Sequence, residues 1–270
     1  MTGDRIQTAY LVTGTTRGIG KALAAEVAAR GQRLFTLSRA PEGPVAGGYN
    51  YTCDLRYSDQ IDQAMARVLD ALGRVGCREV VLICNAGVLG PIGFIDTLPA
   101  DRMADHMQVN LLAPMQLMGC FIDGSRSWQG ARRIILITSG AGRHPYAGWS
   151  LYCAAKAGMD MVMRCVALEQ QTRPDGVSVC AVAPGVVATD MQAEIRGADN
   201  ADFPNRDRFV QFQASGQLSS PESVAATLLD LDAGGQLVAG GLYDLRDVVR
   251  EGDAAVIAPR ATTGSRSGDG

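Results

Sequence analysis

Long apolar stretches are missing from this sequence. The longest runs, such as Val80 to Cys84 and Ile134 to Ile137, fall far short of the roughly 20 residues that a membrane-spanning helix needs. The first apolar run, Ala9 to Val12, is too short for the core of a signal peptide. Histidine is scarce: His106 and His144 are the only two, too few for a histidine metal site. The 7 cysteines (53, 77, 84, 120, 153, 165 and 180) are odd in number and form no C-x-x-C pair. Zinc, iron–sulfur and disulfide frameworks therefore lack support, and the thiols read as those of a reducing cytoplasm. A surplus of positive charge is missing too. The 25 Lys and Arg stand against 28 Asp and Glu, a net charge of −3, so nothing draws the chain to nucleic acid or to an anionic membrane. With 47% hydrophobic and 20% charged residues over a length of 270, it is neither disordered nor long enough for much beyond one domain.

What is present is alternation. Thr8–Thr13, Leu34–Ser38, Val80–Cys84, Arg133–Thr138 and Val177–Val182 are continuous apolar runs. Continuous rather than alternating apolarity means burial on both faces, as in a parallel sheet between helices. Tyr49–Asp54 supplies a further strand and Gly241–Leu245 a last one. Between them, Ile19–Arg30, Ser58–Leu72, Asp101–Phe121 and Leu151–Gln171 are rich in Ala, Leu, Met and Gln, good helix formers. The pattern predicts an α/β fold: one Rossmann-type, doubly wound parallel sheet of about seven strands, with helices on both faces. The single domain spans residues 8–245. Residues 188–216 mix charges with Phe203, Phe209 and Phe212 after the Pro184-Gly185 break and read as an irregular substrate lid. Residues 261–270 hold Gly, Ser, Thr and charge without an apolar face and read as a mobile tail.

The first strand runs into Gly14-Thr15-Thr16-Arg17-Gly18-Ile19-Gly20, which opens a helix. Glycines there permit a tight turn, let backbone amides approach a pyrophosphate and allow close helix-on-strand packing. The helix N-terminus adds unpaired N–H groups and a partial positive charge. At the end of the second strand, where a carboxylate would hold the free ribose hydroxyls of NAD, the chain reads Leu37-Ser38-Arg39. With Arg17 in the turn, two guanidinium groups suit a 2′-phosphate, which predicts NADP(H).

A second constellation is Tyr152-Cys153-Ala154-Ala155-Lys156, which opens a long helix. Residues i and i+4 share a face, so phenol and ammonium project together. A cation held close favours the phenolate and lowers a pKa that otherwise lies near ~10. Ser139, at the end of a strand, is placed to hydrogen-bond a substrate oxygen.

Together these residues resemble the short-chain dehydrogenase/reductase family over residues 8 to 245. The turn motif is matched by Thr13-Gly14-x-x-x-Gly18-x-Gly20, the Tyr-x-x-x-Lys pair by Tyr152 and Lys156, the catalytic Ser by Ser139 and the helix Asn by Asn110. The family's Asn-Asn-Ala-Gly appears as Cys84-Asn85-Ala86-Gly87, with Cys84 the one departure. Asp54, followed by Leu55, matches the adenine-contacting Asp, and Pro184-Gly185, with Val187 and Thr189, the segment beside the nicotinamide. The resemblance implies hydride transfer from the nicotinamide to a carbonyl carbon while Tyr152 protonates the oxygen. Lys156 would lower the Tyr152 pKa and hold the ribose, Ser139 would polarise the carbonyl, and Asn110 would position a water for proton resupply.

The stretch Arg143 to Cys153, with Asp190–Arg196 and Gly240–Asp244, is similar to the sepiapterin-reductase-like branch, including bacterial enzymes that reduce benzil. This implies an aromatic or vicinal diketone as the small-molecule carbonyl substrate. Trp149, Met191 and one or more of Phe203, Phe209 and Phe212 would form a flat apolar slot. Asp244 is the nearest match to the Asp that anchors a pterin in relatives. A second reading is an alcohol dehydrogenase or 3-oxoacyl reductase acting on another metabolite, and a third is a non-catalytic dinucleotide sensor. Relatives pair through helices matched by Asp101–Phe121 and Leu151–Gln171, which implies a homodimer or homotetramer.

Overall fold

The computed structural model describes residues 8–260 except Glu42, Pro44, Gly252 and Asp253; the expected tail at 261–270 lies outside the described residues. Seven strands form one sheet: β1 (Thr8–Thr13), β2 (Arg33–Ser38), β3 (Tyr49–Thr52), β4 (Glu79–Cys84), β5 (Ala131–Ile137), β6 (Ser178–Ala183) and β7 (Leu242–Asp244). Their order is β3-β2-β1-β4-β5-β6-β7, and every pairing is parallel. The continuous apolar runs are explained by their two faces. Ala9, Leu11, Val80, Leu82, Ile134 and Leu136 belong to the core on one side of the sheet. Their chain neighbours Tyr10, Val12, Val81, Ile83, Ile135 and Ile137 belong to the core on the other. Strict alternation of side chains thus feeds two helical layers at once.

The first core holds helices α2 (Ser58–Val75), α4 (Ala113–Gly124) and α5 (Ser150–Gln171), and the second holds α1 (Gly18–Ala29) and α8 (Pro221–Ala233). Helix α8 has no counterpart among the helices expected from the sequence, although its start is well marked. The Ser220 hydroxyl accepts from the Ser223 amide at 3.1 Å, and Pro221 occupies the first turn, where its missing N–H costs nothing. The expected helix Asp101–Phe121 is interrupted. Helix α3 (Ala100–Met107) passes into a π-helical turn, Gln108–Leu112, before α4 resumes at Ala113. The expected irregular lid is also corrected: it contains helices α6 (Asp190–Gly197) and α7 (Arg206–Ala214). Beyond the sheet, β8 (Val249–Glu251) and β9 (Ala254–Val256) make a small antiparallel hairpin.

The chain's order reverses between β1 and β4, which are neighbours in the sheet but lie on opposite sides of the β2–β3 excursion. The crevice beyond the strand ends at such a reversal is where open α/β sheets take their ligands.

Candidate active site

A cavity of about 750 Å³ opens at that reversal, within the range of small-molecule and cofactor sites. One wall is the turn from β1 into α1. Gly14 has φ +72°, and a Cβ there would lie 2.7 Å from the Ala86 Cα, so only glycine fits both the backbone and the space. A Cβ on Gly20 would collide with the Gly14 carbonyl and the Asn85 amide nitrogen. Asn85 ties the two loops together: its side chain donates to the Thr13 and Gly14 carbonyls at 2.9 and 3.2 Å, and the Thr13 hydroxyl accepts from the Asn85 and Ala86 amides.

The sequence-expected cofactor residues fall largely on this wall. Gly14, Thr16, Arg17, Gly18, Ile19 and Gly20 line it. So do Ser38, Arg39, Asp54 and Leu55 after β2 and β3, and Asn85, Ala86 and Gly87 after β4. Pro184, Thr189 and Met191 face them from beyond β6. Three expected residues are not among the walls. Thr15 is fully buried, and its hydroxyl has no partner; Gly185 packs towards Arg246; and Val187 bridges to Ser219. Arg56 is a wall residue that the sequence reading did not single out. Its guanidinium grips Asp54 with contacts of 2.6 to 3.2 Å, and mainly through this hydrogen bonding it holds the carboxyl below its ordinary range. Arg17 faces the opposite rim and pairs with Asp190 at 3.4 Å.

At the far end stand Tyr152 and Lys156, both wall residues and both buried. They sit on the first turns of α5, and the Lys156 Nζ lies 5.7 Å from the Tyr152 ring centre. Burial pushes the Tyr152 phenol up to about 12, against a hydrogen bond from Ser139 that pulls it down. Burial also drives Lys156 down to about 8, against the attraction of Asp160 and Cys84. Lys156 is not among the groups that shift the phenol here; burial and Ser139 are. The ammonium donates to the Ile137 carbonyl at 2.9 Å, and desolvation outweighs everything else acting on the phenol.

Ser139 and Asn110 stand behind this wall rather than in it. The Ser139 oxygen also accepts from the Ala141 amide at 3.2 Å. Asn110 lies on the π-helical turn, a distortion frequent at functional sites. Its side chain is fully engaged with main chain and an imidazole: Nδ2 donates to the Val88 carbonyl at 2.8 Å, Oδ1 accepts from the Val88 amide at 3.0 Å, and Nδ2 lies 2.9 Å from His106 Nε2.

The expected aromatic slot is corrected. Trp149 stacks on Phe203 at 4.4 Å between ring centres, and both pack against Phe209. Tyr146 joins this cluster, while Phe212 meets Phe209 edge-on. The rings fill one another's space, so none of Trp149, Phe203, Phe209 and Phe212 is a wall of the cavity; of the expected slot only Met191 is. Leu89, Gly90, His106, Val109, Met191 and Glu194 wall the cavity as well. His106 was legible as a neighbour of Asn110, four residues away on the same helical face. Glu194 had no signal in the sequence beyond its place in the expected lid. Asp244 is excluded as a substrate anchor. It is completely buried and bound by Arg246 at 2.6 Å and Arg260 at 3.2 Å, with Arg143 at 3.7 Å.

Residues 8–200 match the family model described as short chain dehydrogenase. The chain belongs to the short-chain dehydrogenase family. It is 34% identical to a benzil reductase ((S)-benzoin forming) of Bacillus cereus, over 82% of this chain and 92% of that protein. It is 28% identical to the sepiapterin reductase of Xenopus laevis, over 82% of this chain and 89% of that one. Among solved structures, an actinorhodin polyketide ketoreductase crystallised with NADPH superposes with a TM-score of 0.72. That match is 25% identical, over 88% of this chain and 95% of the other. The protein is thus an oxidoreductase of a family that uses a nicotinamide dinucleotide and acts on small molecules. No helix among its described residues is long and apolar enough to cross a membrane, and no group of described residues is arranged to hold a metal ion.

Proposed function

We propose that this short-chain dehydrogenase is an NADPH-dependent carbonyl reductase for aromatic ketones and vicinal diketones. The observation that carries this reading is a single cavity with a glycine-walled turn at one end and the Tyr152–Lys156 pair at the other. The residues present fit the cofactor. At Gly14 and Gly20 a Cβ would collide with Ala86, the Gly14 carbonyl and Asn85, so only glycine closes this turn tightly onto the β4 loop, which supports a reading in which its backbone amides meet a pyrophosphate. Arg17 and Arg39 on its walls, with no carboxylate at the end of β2, favour a 2′-phosphate. The NADPH bound by the ketoreductase, and the diketone substrate named for the Bacillus enzyme, both support the choice.

When bound, the reduced nicotinamide supplies a hydride. The chain's own part is the proton. Burial keeps Tyr152 in its neutral form at working pH, so the phenol is a donor poised to protonate the oxygen of the reduced carbonyl. Ser139, behind the cavity wall, donates its one O–H to the phenol and so orients the proton donor. Lys156 is the ammonium next in line: with its pKa brought down to about 8, it passes a proton on more readily than an ordinary lysine. Asn110 anchors the π-helical turn that backs this group. Trp149 acts at one remove, since its ring packs edge-on to Tyr152 at 5.6 Å, and Met191 gives the substrate a polarisable wall.

Self-association of the chain, as homodimer or homotetramer, fits the exposed apolar side chains Leu112, Met115, Met161 and Leu168. They stand along the π-helical turn, α4 and α5. The 7 unpaired thiols suit a reducing compartment such as the cytoplasm.

The test is oxidation of NADPH by the purified protein with benzil and related diketones. Tyr152→Phe is expected to lower kcat by at least about a thousandfold while the Kd for NADPH moves less than about threefold. Appreciable turnover by that variant would overturn the assignment of the proton donor. Failure to oxidise NADPH with any carbonyl in the panel would overturn the reading itself.

A further inference from the structure

His106 is a buried titratable group at the edge of this chemistry, and the mechanism above makes no use of it. It is 1% exposed, yet it is one of the walls of the cavity. Its ring meets that of Tyr152 edge to face, at 6.2 Å and 78°. We propose that His106 is a positioning residue for the Tyr152 proton donor: a neutral imidazole that bridges the Gly90 segment to the Asn110 amide and braces the phenol from the side. This rests on the reductase reading above.

The hydrogen bonds fix which nitrogen carries the proton. Nδ1 lies 2.9 Å from the Gly90 carbonyl oxygen. A carbonyl only accepts, so Nδ1 is the N–H. In the neutral ring Nε2 is then a lone pair, and it takes an N–H from Asn110 Nδ2 at 2.9 Å. The other Asn110 N–H goes to the Val88 carbonyl, and its oxygen is taken by the Val88 amide. No rotation of the amide offers Nε2 an acceptor without surrendering both bonds to Val88. A second proton on His106 would therefore set N–H against N–H at the Asn110 end and break that bond, leaving the imidazole only main-chain acceptors, Gly90 and Leu151.

The surroundings resist that second proton. Burial holds His106 below its ordinary value of 6.5, and the charge of Lys156 adds to this, while the Gly90 and Leu151 main chain pull the other way. The remaining groups that face it are Tyr152 on α5, Arg102 and Asp105 on its own helix, and Glu194 of α6, whose carboxylate approaches Gly90. A packed core histidine would have no reason to line the cavity or to bridge two segments that back the proton donor. The bridge predicts an acidic limb in kcat. As pH falls through the His106 pKa, the imidazole gains its second proton, the Asn110 bond is lost and the phenol loses its brace. NADPH binds at the other end of the cavity, so its KM stays put.

Diketone reduction between pH 5 and 9 tests this with His106→Leu and His106→Gln. The Leu variant, which keeps bulk and loses both bonds, is expected to drop kcat about tenfold, with the KM for NADPH unchanged. Glutamine can donate to Gly90 and accept from Asn110, so His106→Gln should stay within about threefold of wild type and lack the acidic limb. A Leu variant with wild-type kcat and pH profile would overturn the proposal, and so would a Gln variant that keeps the acidic limb; if the Leu protein does not fold, the Gln profile decides. The imidazole itself is read by nitrogen–proton NMR in a His144→Gln background, which leaves one histidine. An Nδ1–H tautomer titrating below 6.5 is expected; an Nε2–H tautomer, or titration at 6.5 or above, refutes the bridge. An inactive protein with the expected tautomer sinks the reductase reading and not the bridge. An active protein indifferent to His106→Leu sinks the role proposed here and leaves the reductase reading standing.

Discussion

At the nucleotide end of the cavity the walls are main chain and short loops that follow β1, β2, β3 and β4 directly. At the Tyr152 end they are side chains, backed by a cluster that joins Tyr146 and Trp149 to Phe203 and Phe209, more than fifty residues later. The first end is held by hydrogen bonds between loop backbones, such as Asn85 to Thr13 and Gly14. The second is held by rings packed on rings. A site of the first kind fails when an atom is added to it; a site of the second kind fails when atoms are taken away.

The sharpest break of this comparison is Gly20→Ala. One added carbon has nowhere to go between the Gly14 carbonyl and Asn85, so the turn must open. NADPH affinity is expected to fall by about a hundredfold or more, a cost of about 3 kcal/mol at that end. Titration calorimetry checks it, and near wild-type affinity would mean that the turn is not the phosphate cradle. The opposite change belongs at the opposite end. Phe203 is wholly buried, and Phe203→Ala should cost about 3–5 kcal/mol of stability through the cavity it leaves. Dissociation of NADPH should change less than about twofold. A denaturation midpoint close to wild type would show that α6 and α7 collapse onto the gap, and that the cluster is softer than its packing suggests.

The same contrast explains what the sequence disclosed. The turn Gly14–Gly20, the Tyr152–Lys156 pair and the strands feeding them are local patterns, each complete within seven residues. Glycine, β-branched runs and i,i+4 spacing speak directly to backbone geometry. The sheet order and its two cores follow from the alternation already visible in Thr8–Thr13. The aromatic slot misled because composition shows that rings are present, not which neighbours they choose. Trp149 chose Phe203 rather than a ligand. Asp244 misled for a related reason, since the arginines that claim it come from residues 143, 246 and 260, a meeting that only the folded chain arranges. The interruption of Asp101–Phe121 at Asn110 carries a local signal that the expectation of one unbroken helix passes over: Pro114 has no N–H for the carbonyl four residues back, at Asn110, and stands in the first turn of α4. The tie of Asn110 to Val88 and His106 is tertiary.

A smaller effect sharpens the cofactor's identity. Arg39 stands exposed on the cavity wall just after β2, where its charge also helps to hold Asp54 ionised, and in the NADPH reading it would take the 2′-phosphate. Arg39→Glu should raise the KM for NADPH about tenfold or more and lower that for NADH, since a carboxylate repels phosphate and accepts from ribose hydroxyls. Steady-state kinetics with both cofactors reads the swing; an unchanged preference would return the selectivity to Arg17 alone.

The smallest expected effect lies where the two ends meet. Thr189 packs on Gly18, for a Cβ there would sit 3.1 Å from the Thr189 methyl, and one residue later Asp190 pairs with Arg17 at 3.4 Å. Both side chains of that pair are more than half exposed, 58% and 69%, so water and salt screen it and its loss should cost less than about 1 kcal/mol of stability. Its effect on binding has the opposite sign. Asp190→Asn removes a carboxylate that competes with phosphate for Arg17, so NADPH should bind about two- to threefold tighter at low ionic strength, with the gain fading towards 0.5 M salt as screening takes over. If the variant instead weakens binding, Arg17 needs Asp190 to hold its position, and the lid contributes to the nucleotide end through its charge as well as through its contact with Gly18.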